Sequence, residues 1–154
     1  MEQSPVQYAG FWKRFVAAII DSLILGVVEF MIFIPFLGVL GLGIVAHPEE
    51  ADMGFLVALF SAYLFAVLAA IIAGWLYYAL MESSAKQATL GKMAISIKVT
   101  DMAGNRISFG RATGRYFGRY VSALIMYIGF FMAGFTQQKQ ALHDIMAGCL
   151  VVNK

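Results

Sequence analysis

From position 54 to position 81 the chain carries no Asp, Glu, Lys or Arg. A helix needs about 20 predominantly apolar residues to cross the hydrocarbon core of a bilayer, and this run exceeds that length. Two further uncharged runs cover 30–46 and 120–138. Of the 154 residues, 61% are hydrophobic and 13% are charged. Soluble domains are nearer half apolar and about a quarter charged. A fold this small leaves much of its surface exposed, and so few charges cannot cover it in water. These features predict a single-domain α-helical integral membrane protein.

The chain divides by pattern. Tyr8, Phe11 and Trp12 place aromatic residues where a membrane–water interface favours them. Helix one is predicted over about 13–45, with Pro35 expected to kink or end it. Helix two is predicted over about 54–81, and Trp75, Tyr77 and Tyr78 near its end suit an aromatic belt. Met93, Ile95, Ile97 and Val99 alternate with Ala94, Ser96, Lys98 and Thr100, a period of two. A turn at 101–105 followed by Ile107 and Phe109 predicts an interfacial β-hairpin over about 88–110. Membrane segment three is expected over about 111–136, either crossing or re-entering with a break near Gly129 or Gly134. A C-terminal tail covers 137–154. The predicted fold is therefore a small helical bundle of two to four membrane segments with one short hairpin.

Orientation follows from the cations. The loop at 47–52 has no Lys or Arg, whereas Lys86, Lys92, Lys98, Arg106, Arg111, Arg115 and Arg119 fall in one stretch. The positive-inside rule places the N-terminus and that stretch in the cytoplasm and the acidic loop outside. The early apolar run is interrupted by Asp21 and Glu29 and is too long for a cleavable signal. Cys149 is the single cysteine, so no intrachain disulfide forms.

Three dispersed motifs carry a resemblance. Residues 8–21 (Tyr8, Gly10, Phe11, Trp12, Arg14 and Asp21 among them) resemble the opening of the RDD family of membrane proteins. Residues 88–93, 98–101 and Gly104 are similar to its middle segment, and residues 140–148 to its closing motif. The resemblance covers nearly the whole chain. The family is named for one arginine and two aspartates, which map here to Arg14, Asp21 and Asp144. Cys149 stands where the family often has Thr before the final valines. The resemblance implies a multi-pass cell-membrane protein of the bacterial inner-membrane kind. It also implies either cation–proton antiport or other transport, or an accessory module of a membrane assembly.

Each candidate residue has two readings. Arg14 and Asp21 share a helix face about 10 Å apart, too far for direct pairing. A carboxylate at the depth of Asp21 costs several kcal/mol unless paired, hydrated or protonated. It is either a protonatable or cation-binding site, or a structural partner of Arg14, Arg115, Arg119 or another protomer. Glu29, about 80° further round, is a second relay carboxylate or a protonated acid facing another helix. Asp144 is expected to pair with Arg14, which requires a cytoplasmic tail. Arg111, Arg115 and Arg119 form a stripe spaced by four, expected to contact lipid headgroups or an anion. Gly110, Gly114 and Gly118 have the same spacing and are expected to permit close helix packing.

Other chemistry finds no residues to carry it. Leu90, Gly91 and Lys92 lack the upstream glycine of a phosphate loop. No nucleophile has a placed base, no third ligand joins His143 and Asp144 around a metal, and basic residues do not interleave with solvent-facing aromatics as nucleic-acid binding requires. No enzyme activity, cofactor, metal or nucleic-acid partner is expected. The expected partners are the lipid bilayer, further copies of the chain and another membrane protein. The functional expectation is transport of a cation or small solute coupled to protons, as a homo-oligomer with Asp21 titrating. The rival is a non-transporting accessory or scaffold subunit.

Overall fold

The computed structural model describes residues 7–46, 53–125 and 128–154. The acidic loop and its expected position outside the membrane fall beyond those residues. In chain order the elements are α1 (Phe11–Ala46), α2 (Met53–Ser83), α3 (Leu90–Ala94), β1 (Ile97–Asp101), α4 (Phe109–Leu124), α5 (Ile128–Phe135), α6 (Leu142–Ala147) and β2 (Cys149–Asn153). Among the described residues two helices, Phe11–Gly43 and Met53–Ser83, are long and apolar enough to cross a membrane. The number becomes three if α4 and α5, bent by 103°, count as one span. The protein is thus a mostly helical membrane protein with a small two-stranded antiparallel sheet.

The chain forms two compact units. One is Leu23–Gly74, and the other combines Met1–Ser22 with Trp75–Lys154. The Leu23–Gly74 unit holds parts of α1 and α2. Tyr63 lies between Phe33 and Phe36, with ring centroids 6.4 and 6.0 Å away. Gly43 lies so near the Phe55 ring that a Cβ there would be 2.9 Å from it. Leu23, Val27, Phe30, Met31, Phe60, Phe65 and Leu68 are all exposed. So much bare apolar surface is at home against lipid tails rather than water. Pro35 lies inside α1 and does not end it; the surrounding apolar residues continue the helix on both sides.

In the other unit the core is built from Ala9, Ala17, Ala79, Ile97, Val99, Ile107, Ala112, Cys149 and Val151. The predicted hairpin is corrected here. β1 pairs antiparallel with β2, from Ile97 opposite Asn153 to Asp101 opposite Cys149. On its other edge β2 meets the N-terminal segment, where Ala9 N–H donates to the Val151 carbonyl at 2.8 Å. The reasons are local. Thr89 caps α3, which takes Met93 and Ala94 out of the alternation, and Ser96 adopts a positive φ of 55° before the strand begins. The turn forms, with Asp101 Oδ1 accepting from the amides of Ala103 and Asn105. The return strand does not, because Ser108 caps α4 and turns Phe109 into its first residue. The C-terminal segment, buried at four of its five strand positions, supplies the partner instead.

Candidate functional site

The Met1–Ser22 and Trp75–Lys154 unit gathers Arg14, Glu82, Lys92, Arg115, Arg119 and Asp144 into one buried network. At its centre Arg115 of α4 is 2% exposed. Its Nε donates to Asp144 Oδ1 at 2.7 Å, and its Nη1 donates to Glu82 Oε2 at 2.6 Å. Arg14 Nη1 donates to Asp144 Oδ2, and Lys92 Nζ donates to Glu82 Oε1. Arg119 Nη2 donates to Glu82 Oε1 at 2.8 Å while its guanidinium lies 3.9 Å from the centre of the Tyr78 ring. Glu82 thus serves three cations, and Asp144 ties α1 and α4 to α6. Arg14 Nε donates to the Ala9 carbonyl at 2.9 Å.

Burial penalises charge, and neighbouring opposite charge restores it. Burial alone would raise the Asp144 carboxyl. The guanidiniums of Arg115 and Arg14 overcome this and hold it well below the usual carboxylate range. Lys92 is pushed by burial down to about 7, against the opposing pull of Glu82. His143 is lowered by burial to about 3 and stays neutral at ordinary pH. Its Nε2, 3.5 Å from Asp144 Oδ1, therefore makes no ion pair. Burial raises the Cys149 thiol to about 11, leaving it protonated.

Asp21 has a different set of partners. Its carboxylate accepts from the Tyr77 hydroxyl at 2.7 Å, the Thr89 hydroxyl at 2.6 Å and the Gly91 amide at 2.8 Å. Gly91 fits because a Cβ there would lie 2.1 Å from the Ala17 carbonyl oxygen. Asp21 is 1% exposed and holds α3 against α1, with no arginine bonded to it. Tyr77 and Tyr78, expected in an aromatic belt, instead serve Asp21 and Arg119.

A cavity of about 640 Å³ opens onto both groups. Arg14, Lys92, Arg115, Arg119 and Asp21 line it, together with Phe11, Phe15, Phe130 and Phe131. Its volume lies in the range of small-molecule sites. Arg14 Nη2 is buried with no hydrogen-bond partner. Among the described residues, no three His, Cys, Asp or Glu side chains gather as a metal site.

The structure sorts the expected residues. It joins Arg14 to Asp144 and brings Asp21 to the same cavity. Glu29 is exposed and belongs to the Leu23–Gly74 unit. Of the arginine stripe only Arg111 is exposed as a lipid-headgroup contact requires; Arg115 is turned inward by its two carboxylates and Arg119 by Glu82. Of the glycines only Gly118 makes a close approach, where a Cβ would lie 3.1 Å from His143 Cβ. Gly110 and Gly114 face open space. Gly129 is a tighter contact, with a Cβ there only 2.8 Å from Ser122. Sequence reasoning missed Glu82 and Lys92. The available signal was a stripe of arginines spaced by four, which needs a buried carboxylate if it faces inward.

The chain is 40% identical over 148 residues to "Uncharacterized protein YxaI" of Bacillus subtilis (strain 168), covering 95% of this chain and 97% of that protein. It is 31% identical over 153 residues to "Uncharacterized membrane protein YteJ" of the same organism, covering 96% and 82%. No solved structure matches. The RDD family matches residues 8–148, a span that holds Arg14, Asp21 and Asp144 as well as Glu82, Lys92 and Arg115. With that coverage, and with the arginine and second aspartate in contact, the chain belongs to the RDD family.

Proposed function

We propose that this membrane protein transports an anionic solute through the cationic cavity, exchanging a proton at Lys92. The observation that carries the reading is the cavity lining, where four cationic side chains outnumber by one the carboxylates of Asp21, Glu82 and Asp144 that face them. That field disfavours a cation and attracts an anion. Lys92, lowered to about 7, gains its charge as pH falls through neutrality. Anion binding and proton binding at Lys92 Nζ then favour each other by linkage. The solute enters with a proton on the acidic side, and both leave on the alkaline side. Asp21, its oxygens occupied by three donors, positions α3. No chemical step on the solute is involved.

Two or three spans enclose no pathway by themselves, so the working form in this reading is a homo-oligomer. It spans the cell membrane several times with the N-terminus on the cytoplasmic side, as the cation distribution argues. Proteoliposomes with a trapped pH dye test the reading, using anions from inorganic phosphate to dihexanoyl phosphatidylglycerol. Addition of the transported anion should acidify the lumen, and Lys92→Met, once shown by circular dichroism to be folded, should abolish the proton signal. A response to a sodium or potassium gradient instead would restore cation transport. Silence to every solute from folded protein would favour the accessory reading.

A further inference from the structure

The cavity pairs two surfaces that small soluble anions have no use for. Arg14, Lys92 and Arg115 are each largely buried and line its polar part. Phe15 and Phe131, which also line it, are 47% and 52% exposed. Phe15 belongs to a helix long and apolar enough to cross a membrane, and Phe131 to the bent α4–α5 pair that qualifies when taken as one span. Phe131 stacks on Phe11 with ring centroids 5.2 Å apart, and Phe11 stacks on Phe15 at 5.9 Å. One wall of the cavity is therefore a continuous aromatic surface that reaches the outside of the protein.

Charge sets what the polar part accepts. With Lys92 protonated, Arg14, Lys92, Arg115 and Arg119 are four cations; Asp21, Glu82 and Asp144 are three carboxylates; the difference is one positive charge. His143 is neutral and does not alter the sum. Arg14 also carries a donor, Nη2, that is buried without a partner. A buried guanidinium nitrogen without an acceptor costs free energy that an oxyanion would recover.

We infer that the cavity binds one anionic amphiphile, a phospholipid-like molecule whose phosphate meets the Arg14, Arg115 and Arg119 guanidiniums and whose acyl chain lies on Phe11, Phe15 and Phe131. This rests on the anion-transport reading and names its substrate class. A phosphodiester carries one negative charge, which neutralises the excess. The chain enters sideways from the bilayer along the aromatic wall.

Thermal unfolding of the detergent-purified full chain tests the inference with three probes: lysophosphatidylglycerol, lysophosphatidylcholine and inorganic phosphate. The first should raise Tm by about 5–10 °C at a hundredfold excess over Kd, and the other two should leave it unchanged. Arg119→Gln should weaken lysophosphatidylglycerol binding about tenfold, and Phe131→Ala several-fold. Phe131 is half exposed, so its variant keeps the test usable if Arg119→Gln fails to fold. Stabilisation by inorganic phosphate to the same extent would overturn the amphiphile and leave the anion site standing. Equal stabilisation by both lysolipids would overturn the role of charge, and with it both readings. No shift with any probe would also overturn both.

Discussion

Gly91 is held to glycine by its distance from α1, since any Cβ would press into the Ala17 carbonyl oxygen and the Asp21 carboxylate. Backbone cannot yield as a side-chain tip does, so Gly91→Ala should destabilise the protein by about 3 kcal/mol. Chemical denaturation in detergent measures it, and a neutral Gly91→Ala would mean that α3 does not sit on α1. His143 makes a second prediction at this scale. Its folded pKa is lowered to about 3 from 6.5, so between those values the unfolded chain binds more protons. Its contribution to stability is present above pH 6.5 and is lost as pH falls toward 3. His143→Phe should flatten the acid limb of the stability–pH profile over that window. An unchanged slope would place His143 in water.

At the scale of elements, Asp144 joins α6 to α1 through Arg14 and to α4 through Arg115. It also accepts from the Ala141 amide at 3.0 Å, which caps its own helix. Breaking a buried ion pair by deleting one partner costs about 3–5 kcal/mol, because the remaining charge is left without compensation. Asp144→Ala should fall in that range, and the double change with Arg14→Ala should cost less than the two single changes added together. Additive losses would show that the two side chains do not interact. The Arg14–Asp144 pairing was legible in the sequence because so few charges exist to satisfy one another. The partner of β1 was not, because the local alternation at Ile107 and Phe109 competes with a cap at Ser108. A capping side chain bonded to the Arg111 amide decides that contest, and periodicity does not register it. The stripe of arginines was visible, but its direction depended on Glu82, a residue that in sequence merely closes an apolar run.

For the whole molecule, length resolves where charge and lipid separate. α1 has 36 residues and α2 has 31, so at about 1.5 Å per residue each exceeds the roughly 30 Å hydrocarbon core. Arg14 and Asp21 occupy the first turns of α1, and Glu82 lies in the last turn of α2. None of them is forced into the middle of the bilayer. The membrane class, the two long spans and the Arg14–Asp144 pair were legible from hydropathy and from the scarcity of charge, whereas Glu82 and Lys92 were not. The division into two units was not, because apolar runs continue unbroken across it. The cation distribution predicts that a cysteine replacing Gly104, an exposed turn residue, reacts with a membrane-impermeant reagent only after cells are opened. Labelling on intact cells would invert the proposed orientation.

The antiparallel partnership of the first and last described segments also bears on biosynthesis. Arg14 and Asp144 are 130 residues apart, and the ribosome adds about 5–20 residues per second. Roughly 6–26 s therefore pass between the emergence of the arginine and that of its carboxylate. Both long helices are translated in that interval, before α6 and β2 exist. The nascent chain has to keep the Arg14 guanidinium satisfied by water or by phosphates of the bilayer surface until the last strand arrives. Closure of the charged unit thus waits for α6 and β2, and until they arrive its cations remain open to water and to lipid phosphates.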